Sequence, residues 1–315
     1  MTKEFVGMNG RIVPSAQANV SVMDHGLLYG VAFFATMRYE HGRVFLWSWH
    51  MERIQLACTK LSIHWEPGES DEASDMLLRN VHEVCKANGL NEAYVRITVT
   101  AGDAPLGLHI GNYSEPQTIV IAKPLPLNLR MGARAPKRLH KLELHRTTAE
   151  TSPRFKSSHY LNNFMGRREL FAALGNQDAE GLFMDSHGYV CEGLVSNVFY
   201  RKGTVWHTPD ESTGCLPGIT RRWVIQWLRT LGTTVKEGRF SWDQLIHADE
   251  MFVCNALQEI VPVRALSDSH GVCKTWDEFM WTSAAQKDHT PSTMMISQAY
   301  GMTKKQMPDM DGNVE

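Results

Sequence analysis

Little in this sequence points to a metal, a disulfide framework or a membrane. Its six cysteines (Cys58, Cys85, Cys191, Cys215, Cys254 and Cys273) are scattered without a Cys-x-x-Cys pair. That spacing suits neither a zinc site nor a disulfide-stapled domain, so reduced thiols and a cytoplasmic location are expected. The fourteen histidines include no His-x-His or His-x-x-x-His pair, and no metal is expected. No apolar run approaches the roughly 20 residues of a membrane-spanning helix. The opening MTKEFVGMNGRIVPS also lacks the apolar core of a signal peptide. A formal net charge of only −2 gives no electrostatic reason to expect nucleic acid or an anionic membrane as partner. Internal repeats and low-complexity tracts are missing as well.

What is present is globular material. With 43% hydrophobic and 21% charged residues over 315 positions, disorder is excluded and two domains can each bury a core. FVGMNGRIVP reads as a hairpin turning at Asn9-Gly10, GRVFLWSW as a strand, and HMERIQLACTKLSI as a helix beginning near His50. A second helix is expected from about Glu69 to Asn88, then strands over AYVRITVTAG and QTIVIAKPLPL. The proline-rich, basic run KPLPLNLRMGARAPKR reads as a linker. The expected organisation is a smaller N-terminal α/β domain over 1–122, a linker over 123–135, a larger C-terminal domain over 136–297, and a polar, mobile tail over 298–315. In the second half, a helix is expected over Tyr160 to Leu174 and a hairpin over EGLFMDSHGYVCEG, turning at Asp185 to Gly188. A helix closed by Gly232 and one long strand, EMFVCNALQEIVPVRAL, follow. Strands and helices mix in both halves, so the fold class is α+β or α/β.

Four short stretches carry chemistry. RFKSSHYLNNF isolates Lys156, with no further lysine until Lys202; alone, it reads as a solvated surface lysine. In CLPGITRRW, Pro217-Gly218 turns into a helix whose start at Ile219 and Thr220 holds no acid. Free backbone N–H groups and the Thr220 hydroxyl there suit a phosphate, or Thr220 merely caps. In YVCEGLVSN, Glu192 lies among apolar and small neighbours, where a carboxylate must be protonated or meet a cation. In HMERI, Arg53 falls in the expected first helical turn, where the dipole disfavours a cation unless an anion binds nearby. Together these are the needs of pyridoxal 5′-phosphate: a Schiff-base lysine, a carboxylate for the ring nitrogen and a phosphate cup.

The resemblance then becomes specific. SVMDHGLLYG, HMERI, KSSHYLNN, GYVCEGLVSNVF, TPDESTGCLPGITRR and EMFVCNALQEIVPV occur, over about residues 5 to 265, in the order seen in fold type IV pyridoxal-phosphate enzymes. That family, the class IV aminotransferases, includes branched-chain and D-amino acid aminotransferases and aminodeoxychorismate lyases. The resemblance implies a two-lobe fold and a homodimer with the active site near the interface. It implies Lys156 as the Schiff-base residue, Tyr160 one helical turn on at the ring hydroxyl, and Glu192 at the ring nitrogen. Arg53, Ile219 and Thr220 would hold the phosphate, Leu216 would pack on the ring, and Ser196 and Asn197 would line the strand edge. Ala256 stands where relatives supply a threonine or serine to the phosphate. Tyr29, Phe33, Ala35 and Leu106 would line the pocket for a small-molecule amine.

DHGLLYG, KSSHYLNNFMGRREL and EGLVSNVFYRKG are most similar to the bacterial aminodeoxychorismate lyases. Ala101 follows Thr100 where D-amino acid aminotransferases carry an arginine. The chain reads VAFFATMR where relatives read a Gly-Val-Phe-Glu-Thr type run, so Ala32, Phe33 and Ala35 replace a glycine, a small apolar residue and an acid. Losing that acid is expected to favour less polar substrates. The implied activity is conversion of 4-amino-4-deoxychorismate to 4-aminobenzoate and pyruvate. The alternative is an aminotransferase with a remodelled pocket for R-amines or D-amino acids, as a natural specialist or an engineered variant.

Overall fold

A computed structural model describes residues 4–130, 134–175, 178–276 and 292–306. The chain divides into two compact units. The first comprises Met1–Arg130, Phe155–His159 and Lys305–Glu315, and the second Met131–Arg154 and Tyr160–Lys304. The break at 130/131 falls inside the expected linker. The contiguous division misplaces one piece, however, because Phe155–His159, which carries Lys156, belongs to the first unit.

The first unit holds β1 (Phe5–Met8), β2 (Arg11–Pro14), α1 (His25–Leu28), β3 (Ala32–Glu40), β4 (Arg43–Val44), α2 (Trp47–Lys60), α3 (Asp71–Ala87), β5 (Glu92–Thr100), β6 (Gln117–Pro124) and α4 (Leu127–Arg130). Its six strands form an antiparallel sheet in the order β2-β1-β6-β5-β3-β4. Asn9 and Gly10 both take positive φ (49° and 77°), as a two-residue hairpin turn requires. Ser70 caps α3 by accepting the Ala73 N–H, and Asp71 and Glu72 complement its dipole. Side chains alternate along β3 and β5. Phe33, Ala35 and Met37, with Val95, Ile97 and Val99, pack under Met51 and Ile54 of α2 and Val81 and Val84 of α3. Phe34, Thr36 and Arg96 therefore lie on the other face.

GRVFLWSW is not a strand throughout. Only Arg43 and Val44 pair with β3, Leu46 turns through a left-handed conformation, and α2 already begins at Trp47. Aromatic residues favour strands only where a neighbouring strand receives them. Here the Trp47 indole N–H donates to Ser74 Oγ of α3 at 2.9 Å, and this tertiary contact suits a helix.

The second unit holds β7 (Lys137–Lys141), α5 (Leu161–Leu174), β8 (Ala179–Met184), β9 (Val190–Gly193), β10 (Asn197–Lys202), β11 (Val205–Pro209), α6 (Ile219–Thr230), β12 (Val235–Gly238), α7 (Trp242–Ile246), β13 (Glu250–Asn255), β14 (Glu259–Asp268), β15 (Gly271–Thr275) and α8 (Thr293–Lys305). Its nine-stranded mixed sheet runs β12-β11-β10-β13-β14-β7-β8-β9, with β15 on β14. The expected hairpin at Asp185–Gly188 is the β8–β9 turn, and α6 ends ahead of Gly232 at φ 73°.

Two expectations fail in this unit. EMFVCNALQEIVPVRAL is not one strand but the hairpin β13–β14. Asn255 Oδ1 accepts the N–H groups of Leu257 and Gln258 (2.9 and 2.7 Å) and so folds the chain back over Ala256. The tail expected from residue 298 is helical through Lys305. α8 buries Thr293, Ile296 and Tyr300, and the rest of the tail lies outside the described residues.

Candidate active site

In the first unit, the segment around Lys156 runs beside the start of β3. The Phe34 N–H donates to the Lys156 carbonyl and the Ser158 N–H to the Ala32 carbonyl, both at 2.9 Å. The backbone of Lys156 is thus fixed, and its half-buried ammonium lies 4.7 Å from the centroid of the Phe34 ring. This is not the solvated surface lysine that the sequence also allowed. The Arg96 guanidinium approaches the same ring at 3.6 Å, and Arg96 faces Thr36 in the β3–β5 register.

This geometry corrects the expected substrate wall. Phe33 and Ala35 are core residues beneath α2 and α3, while Phe34 is the ring beside Lys156 and Thr36 shares its face. The period of two along a strand assigns neighbours to opposite faces, so an offset of one residue exchanges core for site. An acid at position 35 would sit in the core, and its absence says nothing about substrate polarity. Tyr29 accepts the Gly107 N–H on its hydroxyl at 2.8 Å, while Leu106 stands exposed in the same loop.

Arg53 is half-buried in the second turn of α2, not the first, since the helix begins at Trp47. The dipole argument for it therefore fails. One turn before it lies His50, which the sequence reading missed. Burial first, then the charges of Arg53 and Lys156, push its imidazole well below its ordinary value of 6.5. A folded chain that keeps His50 neutral competes with an unfolded chain that protonates it as pH falls through about 6.5. Its effect on stability is therefore absent at higher pH and grows unfavourable on acidification. His50→Gln should flatten the fall of the unfolding midpoint between pH 7 and 5; equal slopes in variant and parent would show that His50 is not held neutral.

In the second unit, Glu192 on β9 is buried and meets a cation, one of the two outcomes its apolar neighbours allowed. Arg146 Nε donates to Oε1 at 2.7 Å, and the Leu216 N–H donates to Oε2 at 2.9 Å. Arg146 is itself fixed by Asn162 Oδ1 at 2.8 Å, on the first turn of α5. Each carboxylate oxygen keeps a further lone pair for another donor. The need for Arg146 was legible in the sequence, but its identity was not.

Leu216 is fixed by both ends of its peptide, because Asn197 Nδ2 donates to its carbonyl at 2.8 Å. A Cβ on Gly218 would come within 2.0 Å of Asn197 Oδ1, so only glycine allows this close approach where α6 opens. The α6 start has no side-chain cap and no acid in its first turn, which leaves an anion-favouring end. Ile219 and Thr220 are buried there. Ser196 spends its hydroxyl on Glu180 Oε1 at 2.5 Å. Tyr160 is the residue before α5, with φ −99° and ψ 5°, and does not follow Lys156 by a helical turn, since residues 154–159 are not helical. Ala256 lies in the β13–β14 turn.

The chain is similar to known proteins over most of its length. Residues 32–266 match the family described as Amino-transferase class IV. The aminodeoxychorismate lyase of Bacillus subtilis (strain 168) is 34% identical over 270 residues, covering 84% of this chain and 87% of that protein. The putative branched-chain-amino-acid aminotransferase of Methanocaldococcus jannaschii is 34% identical over 258 residues, covering 81% and 85%. The crystal structure of the Escherichia coli branched-chain amino acid aminotransferase superposes with a TM-score of 0.75 at 27% identity, covering 96% and 94%. The match across β3 to β14 and the 34% identity to relatives covered over most of their length place this chain in the class IV aminotransferase family, with its fold type IV architecture.

Proposed function

We propose that the chain is a pyridoxal-phosphate-dependent lyase that converts 4-amino-4-deoxychorismate to 4-aminobenzoate and pyruvate. The residues fit the cofactor on their own chemistry. Lys156 offers an amine held by a fixed backbone, Glu192 an arginine-paired carboxylate, and α6 an uncapped start kept open by Gly218. Arg53 adds a guanidinium for the phosphate. When bound, pyridoxal phosphate supplies an aldehyde that condenses with amines and a protonated ring that draws electrons from the bond being broken.

The observation that carries the lyase reading is the strand face beside Lys156. It presents the Phe34 ring, the Thr36 hydroxyl and the Arg96 guanidinium. Aminodeoxychorismate carries one carboxylate on a cyclohexadiene ring and a second on its enolpyruvyl side chain: Arg96 suits a carboxylate, and Phe34 packs on the ring. Lys156 Nζ would take the proton from the amine-bearing ring carbon, and the neighbouring ring C–O bond would break as the ring aromatises. The departing enolpyruvate would gain a proton from Lys156, or from the Thr36 hydroxyl on that face, to leave as pyruvate.

An aminotransferase uses the same lysine and carboxylate, and the relatives named branched-chain aminotransferases favour it as the second reading. Aminodeoxychorismate supplied with no keto acid should give 4-aminobenzoate and pyruvate in equal amounts. Turnover only when an amino donor and a keto acid are both present would overturn the lyase reading in favour of the transferase.

The chain acts as a homodimer. The loop beyond β5 exposes Leu106, Leu108 and Ile110 at 71, 91 and 99%, an apolar tip that water does not favour and a second copy can cover. Leu108→Glu with Ile110→Glu should move the sedimentation coefficient to the monomer value at micromolar concentration. An unchanged dimer would show that the loop takes no part.

A further inference from the structure

The C-terminal helix α8 docks in the second unit by two polar anchors. At its start, the Thr293 N–H donates to Glu250 Oε1 at 2.6 Å, and Glu250 is paired with Arg201 Nε at 3.0 Å. Two turns on, the buried Tyr300 sets its ring edge-on against Trp223 of α6, with centroids 4.9 Å apart. Its hydroxyl lies 3.4 Å from Thr220 Oγ1, at the second residue of α6. The hydroxyl thus addresses the start of α6, and the ring its next turn, in the helix whose uncapped start suits a phosphate.

We infer that Tyr300 is a positioning residue for Thr220, through which the C-terminal helix helps to retain the cofactor's phosphate; this rests on the pyridoxal-phosphate reading above. A hydroxyl donates once and accepts twice. Between two hydroxyls, either can be the donor. An anion at the α6 start removes that freedom, because the Thr220 proton must then point at the phosphate. Tyr300 becomes the donor to Thr220 Oγ1, and the chain Tyr300 O–H to Thr220 O–H to phosphate is polarised in one sense. The tyrosine touches no cofactor atom and acts only by fixing the direction in which Thr220 donates.

The test is a double-mutant cycle on cofactor binding, read by absorbance as apo-protein is titrated. Tyr300→Phe keeps the ring against Trp223 and removes only the hydroxyl. It should weaken pyridoxal-phosphate binding about fivefold, within the range of one net hydrogen bond. It should leave the affinity for pyridoxal, which has no phosphate, at the parent value. Thr220→Val should weaken pyridoxal-phosphate binding about tenfold or more, as for a bond to a charged group. Adding Tyr300→Phe to it should then cost nothing further. Parent-like affinity in Tyr300→Phe, equal losses with pyridoxal, or a full further loss in the Thr220→Val background would each overturn the inference. A parent chain that binds no pyridoxal phosphate at Lys156 would instead overturn the functional reading, and this inference with it.

Discussion

Lys156→Ala is expected to lose turnover entirely and to lose the covalent cofactor adduct that borohydride fixes in the parent. The fold should survive, because Lys156 holds its place through its backbone carbonyl and through Ser158, neither of which needs the side chain. Removing the ammonium from the Phe34 ring forfeits about 0.5–1 kcal/mol, a cation–π contact at a partly exposed site. The nearest alternatives in the sequence sit differently. Lys202 donates to the His247 carbonyl and to Asp249 on an exposed surface, and Lys141 lies 5.9 Å from the Trp242 ring. Peptide mapping of the reduced parent should place the cofactor on Lys156. An adduct on Lys141 or Lys202, or one that persists in Lys156→Ala, would remove Lys156 from the chemistry.

Glu192→Gln should cut turnover by about a hundredfold or more, the scale of losing one aimed electrostatic stabiliser. The carboxylate now accepts from Arg146 Nε and from the Leu216 N–H, one on each oxygen. A glutamine has one acceptor oxygen, so its NH₂ group must face one of those donors. That lost bond costs about 1–3 kcal/mol of stability, and Arg146 loses its counter-charge while keeping Asn162. Activity must therefore be normalised to folded, cofactor-loaded protein. An isosteric replacement that keeps the shape but cannot carry charge separates the two roles. Should the variant stay within tenfold of the parent per loaded site while melting several degrees lower, Glu192 is there to satisfy Arg146 and not to serve the cofactor.

How much of this was legible depended on the range of the interaction. Asn9-Gly10, the α3 helix and the β8–β9 hairpin follow from local backbone preference, and the sequence places them within a residue or two. The start of α2 was missed because Trp47 gains its helical place from Ser74, 27 residues on. The Ala256 turn was missed because its signal is one asparagine side chain folding back on its own backbone inside an apolar run.

The sequence by itself determined the chemical inventory: a lone lysine, a carboxylate that needed a cation, and a helix start without an acid. These are demands that a residue type makes in any fold. Only the tertiary structure decided how those demands were met. It supplied Arg146 as the cation for Glu192, and His50 as a neutral neighbour of Arg53 and Lys156. It also turned Phe34 and Thr36, not Phe33 and Ala35, to the face that carries Lys156. Such choices depend on strand phase and on partners distant in the chain. A one-residue change of phase leaves composition and spacing nearly unchanged while it exchanges core for site.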